Sequence, residues 1–229
     1  ASEPVPVSPE LLTLLLRCRS LHVETGGAFD ITIAPLMRCW RFMNDTGSVP
    51  TEDAIARALA CTGMQHVGLD EENYTVSLAK EGVMLDLGSI GKGYALEQAA
   101  ALLKENEFEN FLIHGGTSSV YAHGKQSDGT PWRIAVKHPD DSQPPFQIID
   151  LQDESLSVSG IGGKSFVDED GHDQGHVIHP RTGRPTQAAR VAAVICESTA
   201  ESDAWATALL VDPALTPPSH IRVCDQIDS

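Results

Sequence analysis

Leu85-Asp86-Leu87-Gly88-Ser89-Ile90-Gly91-Lys92-Gly93-Tyr94-Ala95 is where the pattern of the chain changes. Before it, Gln65 to Leu69, Thr75 to Ala79 and Val83 to Leu87 alternate or run apolar around the turn signals Asp70-Glu71-Glu72-Asn73 and Glu81-Gly82. Apolar stretches of this length, separated by polar turns, predict a small antiparallel meander. After it, Tyr94, Ala95, Gln98, Ala99, Leu102 and Leu103 make one apolar stripe, which predicts a helix over Ile90 to Lys104. Between the two lie a carboxylate at a strand end, a glycine turn and a helix start, whose backbone N–H groups can receive a phosphate. Gly91 and Gly93 each cost a helix about 1 kcal/mol against alanine, so something is expected to pack closely on that face. An ordinary strand-to-helix turn with a capping acid is the plainer reading.

Working outward, Ser8-Pro9-Glu10 reads as N-cap, first-turn proline and early acid of a helix that reaches Val23 and is stopped by Gly26-Gly27. Phe29 to Phe42 is a mixed segment with Pro35, Asp45 to Pro50 a loop, and Thr51 caps a short helix through Leu59 that Gly63 ends. Downstream, strands are expected at Phe111 to Ile113, Ser119 to Ala122, Trp132 to Val136, Gln147 to Leu151, Ser155 to Ser159 and Arg190 to Cys196. Pro139 to Pro145 is a candidate flexible loop, and Ala200 to Val211 is the last helix. Hairpins mixed with two long helices predict an α+β fold, mostly antiparallel sheet packed with helices, in one domain over 1–229.

The 229 residues carry 16 Lys plus Arg against 32 Asp plus Glu, a formal charge of -16, with no basic cluster. Nucleic acid is thereby excluded as a partner, because its binding depends on cations that displace counterions. An anionic ligand would need backbone N–H groups, a helix N-terminus or a divalent cation. The five cysteines are scattered without metal-like spacing. No apolar run has bilayer length and Ala1 to Val7 is not a signal sequence, so the chain as given is expected to be soluble.

Four further segments carry candidate chemistry. Gly115-Gly116, at the end of an apolar strand, offers close backbone approach, or simply a bulge. Ser157-Val158-Ser159-Gly160-Ile161-Gly162-Gly163-Lys164-Ser165 lacks the spacing of a phosphate-binding P-loop, and an acidic loop follows it. His172, His176 and His179 lie close in sequence; one could serve as a general base, or the three could bind zinc. Asp203 and Thr207 are four apart, so a helix places their oxygens on one face, fit to grip a hard cation. The plainer reading there is an acid favouring the helix dipole and a threonine bonding back to the preceding turn.

Taken in order, the segments resemble the FAD:protein FMN transferase family, also called ApbE and once described as thiamine-biosynthesis lipoproteins. Thr25-Gly26-Gly27-Ala28-Phe29-Asp30-Ile31-Thr32 with Pro35-Leu36 and Trp40-Arg41-Phe42 is similar to its GGAFD…T…PL…W segment. Asp86 to Gly93 is similar to its DLGGIAKG turn, and Gly115-Gly116 to its GGD/GGN loop. Ser159-Gly160 with His176 to Gly183 is similar to its SGDY…HIIDPRTG region, and Asp203 to Leu209 to its ADALATAL helix. The resemblance implies a fold of two lobes related to the T-fold and magnesium bound by Asp203, Thr207 and the carbonyl of Ser89. It further implies FAD contacts from Trp40, Arg41, Phe42, Asp86, Lys92, Ile178, Gly115 and Gly116, with His176 as the base. The implied reaction moves FMN from FAD to a Thr or Ser hydroxyl of an acceptor flavoprotein and releases AMP. The implied location is exported, periplasmic or anchored at the inner membrane by a lipid.

This sequence departs from the family pattern at His179 and Thr117, where Asp, and Asp or Asn, are usual, and at Ile161-Gly162-Gly163. The family's N-terminal strand with its Met-Gly-Thr segment is missing before Ala1, and the part after Val211 is short. These departures keep alternatives open: an FAD-binding protein without transfer, an FAD diphosphatase yielding FMN and AMP, or a zinc hydrolase on the three histidines.

Overall fold

The computed structural model describes residues 3–44, 47–138, 142–145, 147–161 and 164–228. In chain order the elements are β1 (Val5–Pro6), α1 (Pro9–Glu24), α2 (Ala34–Cys39), α3 (Glu52–Leu59), β2 (Val67–Asp70), β3 (Thr75–Leu78) and α4 (Gly91–Glu105). Then come β4 (Phe111–His114), β5 (Ser119–His123), β6 (Trp132–Val136), β7 (Gln147–Leu151) and β8 (Glu154–Gly160). The rest are β9 (Ser165–Val167), β10 (Asp173–Gly175), β11 (Ala189–Cys196), α5 (Thr199–Val211) and β12 (Arg222–Asp228). All strand pairs are antiparallel. With helices packed on the sheets, the fold class is the expected α+β. Among the described residues no helix is long and apolar enough to cross a membrane. Asp45, Thr46, Pro139, Asp140, Asp141, Gly162 and Gly163, which fall in the loops and departures read above, lie outside the described residues.

The chain divides into two compact units. One is formed by the chain up to Leu87 together with Ile161–Gln187, the other by Gly88–Gly160 together with the chain from Ala188 onward.

In the first unit, α1 starts as its sequence dictates: the Ser8 hydroxyl accepts from the Leu11 N–H, and Pro9 occupies the first turn. Gly26 and Gly27 follow its end with φ of +57° and +84°, conformations that a β-carbon would strain. Thr51 caps α3 in the same way, accepting from Ala54. Gly63 does not end α3, whose C-cap is Ala60; at φ +122° it instead opens a 3-10 turn leading into β2. The meander also differs from expectation. Its third strand is β1, paired to β3, and among the described residues Val83 to Leu87 belongs to none of the sheets. That run is apolar because Val83 is buried, and burial alone gives no strand. The acidic stretch after Ser165 is a hairpin, β9–β10, rather than a loop.

The second unit holds a five-stranded sheet in the order β12-β11-β8-β5-β4. One face packs Val120, Ala122, Leu156, Ala193 and Ile195 against Val136, Ile149 and Leu151 of the β6–β7 hairpin. The other face receives α5. β8 reads Ser-Leu-Ser-Val-Ser, and its period of two separates Leu156 and Val158 on the hairpin side from three serines on the α5 side. Ser155 and Ser157, both fully buried, hydrogen-bond the Ser202 hydroxyl at 3.0 and 2.8 Å. The polar edge of this strand is therefore internal, which is tolerable because the hydroxyls satisfy one another. The buried positions of α4 are Gly93, Leu96 and Ala100, not the expected stripe, and Leu102 is 60% exposed. The helix turns this way because a β-carbon on Gly93 would fall 2.7 Å from Ala200 Cα and closer still to the Thr199 carbonyl. The close packing that the glycine foreshadowed is protein against protein, at the crossing of α4 and α5.

Candidate functional site

The α4–α5 crossing assembles the first group of candidate residues. Asp203, on the second turn of α5, is 3% exposed. Its Oδ2 accepts the Gly93 N–H at 3.1 Å and its Oδ1 the Ser119 hydroxyl at 3.4 Å. The Lys92 ammonium stands 3.4 Å from both carboxylate oxygens and donates to the Gly88 carbonyl at 3.1 Å. Burial pushes the carboxyl of Asp203 above its ordinary range, and Lys92 and the Gly93 N–H pull against that shift. At 3.4 Å the lysine neutralises charge without a tight bond, since charge-assisted hydrogen bonds close to about 2.7–2.9 Å.

One turn further along α5, the Thr207 hydroxyl lies 3.2 Å from the Asp203 backbone carbonyl and 3.3 Å from the Ser159 hydroxyl on β8. The bond back to Asp203 is the plain structural role that the spacing also allowed. Donating its hydrogen there makes the Ser159 hydroxyl the donor to Thr207 and leaves one lone pair of Thr207 for a cation. Ser89 sits in the turn whose Gly88 carbonyl holds Lys92, and a β-carbon on Gly115 would lie 3.7 Å from Lys92 Cβ. Gly116 takes φ +76°. Lys92, Asp203, Thr207 and the two glycine turns thus belong to one unit, and Lys92 and Asp203 are in direct contact.

The donor set fits the cation that the resemblance implies. It consists of oxygens only, with one carboxylate, and magnesium is commonly held by one or two carboxylates plus substrate phosphates. The zinc alternative does not fit. Among the described residues no three His, Cys, Asp or Glu side chains converge on a metal position. His172 Nδ1 instead faces Asp168 at 3.6 Å, and His179 Nδ1 accepts the Arg181 N–H at 3.1 Å.

The remaining candidates belong to the other unit. Trp40, Phe42 and Ile178 are 2%, 3% and 3% exposed and share a core with Leu36, Ile55 and Ala58. The indole of Trp40 donates to the Gly183 carbonyl at 2.8 Å. These side chains are committed to packing, so only their backbone edges can reach a ligand. Arg41 is exposed and takes φ +60°, an uncommon conformation for a residue with a β-carbon. The Asp86 N–H donates to the Ile31 carbonyl at 2.7 Å, tying the run from Val83 to Leu87 to the segment after Asp30. His176 is half-buried, with Nδ1 3.1 Å from the Lys164 carbonyl. A carbonyl can only accept, so it selects the Nδ1–H tautomer and leaves Nε2 as the basic nitrogen.

Sequence reasoning missed a second polar group in this unit. Asp30 Oδ1 accepts from the Thr32 N–H at 2.8 Å and the Thr32 hydroxyl at 2.5 Å, while that hydroxyl accepts the Gly63 N–H. His22 Nδ1 lies 3.5 Å from Asp30 Oδ2 and 3.1 Å from the Phe29 carbonyl. His22, Asp30, Thr62, Gln65 and Arg181 line a cleft of about 420 Å³ that includes none of the predicted site residues. The Asp-x-Thr spacing of an Asx cap is the one signal that could have revealed the network.

With this geometry in place, the comparisons are specific. The sequence profile described as the ApbE family matches residues 1–221. A Klebsiella pneumoniae protein named FAD:protein FMN transferase is 33% identical over 216 residues, covering 92% of this chain and 61% of that protein. The chain thus spans about three fifths of the length of the curated relatives it matches. The ApbE protein of Thermotoga maritima superposes with a TM-score of 0.85 at 32% identity, covering 92% of this chain and 68% of the other. The apo flavinyl transferase ApbE of Pseudomonas stutzeri gives 0.81 at 31% identity, covering 92% and 65%. A profile match over nearly the whole chain, with ordered motifs and the same fold, makes this chain a member of the ApbE family.

Proposed function

We propose that the chain, read over 1–229 as one transferase domain, is exported and moves FMN from FAD to a Thr or Ser hydroxyl of an acceptor flavoprotein. The acceptor oxygen forms the new bond to the FMN phosphorus, the bond from that phosphorus to the AMP oxygen breaks, and AMP leaves. His176, with its Nδ1 proton directed at the Lys164 carbonyl, takes the hydroxyl proton on Nε2. Asp203, Thr207 and the Ser89 carbonyl would hold magnesium, which would neutralise the diphosphate and stabilise the leaving AMP. Lys92, whose ammonium stands 3.4 Å from Asp203, offers a further cation to an anionic group of the substrate.

The observation that carries this reading is Asp203: a buried carboxylate held by the Gly93 N–H and the Ser119 hydroxyl beside the Lys92 ammonium, on the helix that the family resemblance assigns to the metal. The family relatives' printed name supports the substrate and the protein acceptor. A chain of net charge -16 also gains from a cation when it handles a diphosphate.

Incubation with FAD, magnesium and a Thr-containing acceptor peptide tests it. AMP release with a flavin-labelled peptide, both lost in Asp203→Ala, is the expected result. Intact FAD would leave a binding protein, and AMP with unlabelled peptide a diphosphatase.

A further inference from the structure

We infer that the Lys92 ammonium holds the place of a divalent cation at Asp203 in the ion-free protein, and swings out when the ion arrives. The inference rests on the metal site of the proposed function and assigns Lys92 a role in its loading.

Three oxygens surround the lysine nitrogen: Asp203 Oδ1 and Oδ2, each at 3.4 Å, and the Gly88 carbonyl at 3.1 Å. All three are hard donors. They come from the two segments, the Gly88–Ser89 turn and α5, that the proposed ion would draw on. The nitrogen sits symmetrically astride the carboxylate, as a bound cation does, rather than end-on to one oxygen. Two positive charges cannot share this carboxylate without strong repulsion at such separations.

The parts differ in freedom. Asp203 is fixed by the Gly93 N–H and the Ser119 hydroxyl, both donors that remain useful to a carboxylate bound to a metal. The Lys92 side chain is 42% exposed, against 4% for that of Asp203, so the lysine can move into solvent without dragging packed atoms along. Its anchor, the first turn of α4, is fixed by Gly93 against α5. The exchange is therefore a rotation of one flexible side chain about a rigid base. It couples two events, because the ion that displaces Lys92 also frees an ammonium to meet an anionic substrate group. The lysine keeps the buried carboxylate from standing unpaired while the site lacks an ion, at the expense of ion affinity.

Calorimetric titration of the purified chain with Mg2+, without FAD, tests the exchange. Lys92→Met is expected to bind Mg2+ about ten-fold more tightly than wild type, the order expected on removing one competing like charge. Its ion-free melting temperature is expected to fall and to recover with Mg2+, and Asp203→Asn is expected to abolish binding in either background. Equal or weaker binding by Lys92→Met overturns the inference while leaving the metal site standing. Absence of Asp203-dependent binding in both proteins overturns the metal site and the inference together. A second measurement requires no altered fold. In wild type, acetylation of Lys92 by an amine reagent, read by peptide mapping, is expected to speed up on adding Mg2+ while other lysines do not change. In Asp203→Asn the rate is expected to be insensitive to Mg2+. A wild-type Lys92 rate unaffected by Mg2+ under conditions where Mg2+ binds overturns the exchange.

Discussion

Asp30 in one unit and Asp203 in the other are both nearly inaccessible, at 6% and 3% exposure, yet their surroundings differ in kind. Asp30 is served from within its own loop: the Thr32 N–H and hydroxyl, two residues on, donate to a single oxygen at 2.8 and 2.5 Å, and Thr32 passes the order on to Gly63. Asp203 is served from α4 and β5, elements far away in sequence, by donors at 3.1 to 3.4 Å. Short local bonds spend a carboxylate on structure. The bonds to Asp203 are longer and converge from separate elements, and the lysine beside it, 42% exposed, is the partner that the proposed exchange would move.

The largest expected effect comes from Gly93→Ala, which attacks the scaffold of Asp203. A β-carbon there overlaps the Thr199 carbonyl and approaches Ala200 Cα, main-chain atoms that cannot rotate away. Overpacking of this kind costs about 1–3 kcal/mol or more, and strain against backbone belongs at the upper end. A loss of about 6–12 °C in melting temperature is expected for a chain of this size. An unchanged melting curve would mean that α4 and α5 are not held at this distance.

Asp30→Ala comes next. It strands the Thr32 N–H and hydroxyl as buried donors and removes the cap of the following turn, costing about 2–3 kcal/mol. Chemical denaturation read by tryptophan fluorescence checks this, and the loss is expected to be the same with and without Mg2+. A loss that Mg2+ repairs would erase the distinction between the two aspartates.

Asp203→Asn is expected to act less on stability, and with a sign set by pH. Burial holds the native carboxyl pKa above its ordinary value of 3.8, so the folded state keeps the proton longer than the unfolded state. Stability contributed by this group is therefore lost as pH rises from that value through the folded pKa, and the cost is complete above it. Without Mg2+, the melting temperature of Asp203→Asn relative to wild type is expected to climb between pH 4 and neutrality, as read by melting curves across that range. A difference that does not vary with pH would show that Lys92 already compensates the buried charge in full.

The smallest effect sharpens the comparison between units. Cys18 in α1 and Cys196 in β11 are buried reporters, one in each unit, and burial pushes the Cys18 thiol up to about 12. Neither is expected to react measurably with iodoacetamide in the native wild type at pH 8. In Asp30→Ala the Cys18 rate is expected to rise first, and in Gly93→Ala the Cys196 rate, as read by mass spectrometry of the alkylated peptides.

Several elements were legible in the chain because their causes are local. Ser8 and Thr51 announce α1 and α3 by chemistry that acts within three residues, and the Asp203–Thr207 spacing sets a shared face wherever that helix forms. Val83 to Leu87 misled because an apolar run records burial and not pairing, and β1 supplied the missing meander strand from the other end of the unit. The α4 stripe misled because hydrophobicity ranks Gly93 poorly, although its lack of a side chain is what turns it inward.

The sequence by itself determined the starts of α1 and α3, the turn glycines Gly26 and Gly27 and the shared face of Asp203 and Thr207, since each follows from neighbours along the chain. Tertiary structure alone decided which serines of β8 face inward, that Lys92 sits astride Asp203, and that Trp40, Phe42 and Ile178 are core. Those outcomes depend on which elements meet. Meeting is settled by packing between residues far apart in the chain, where local propensity has no reach.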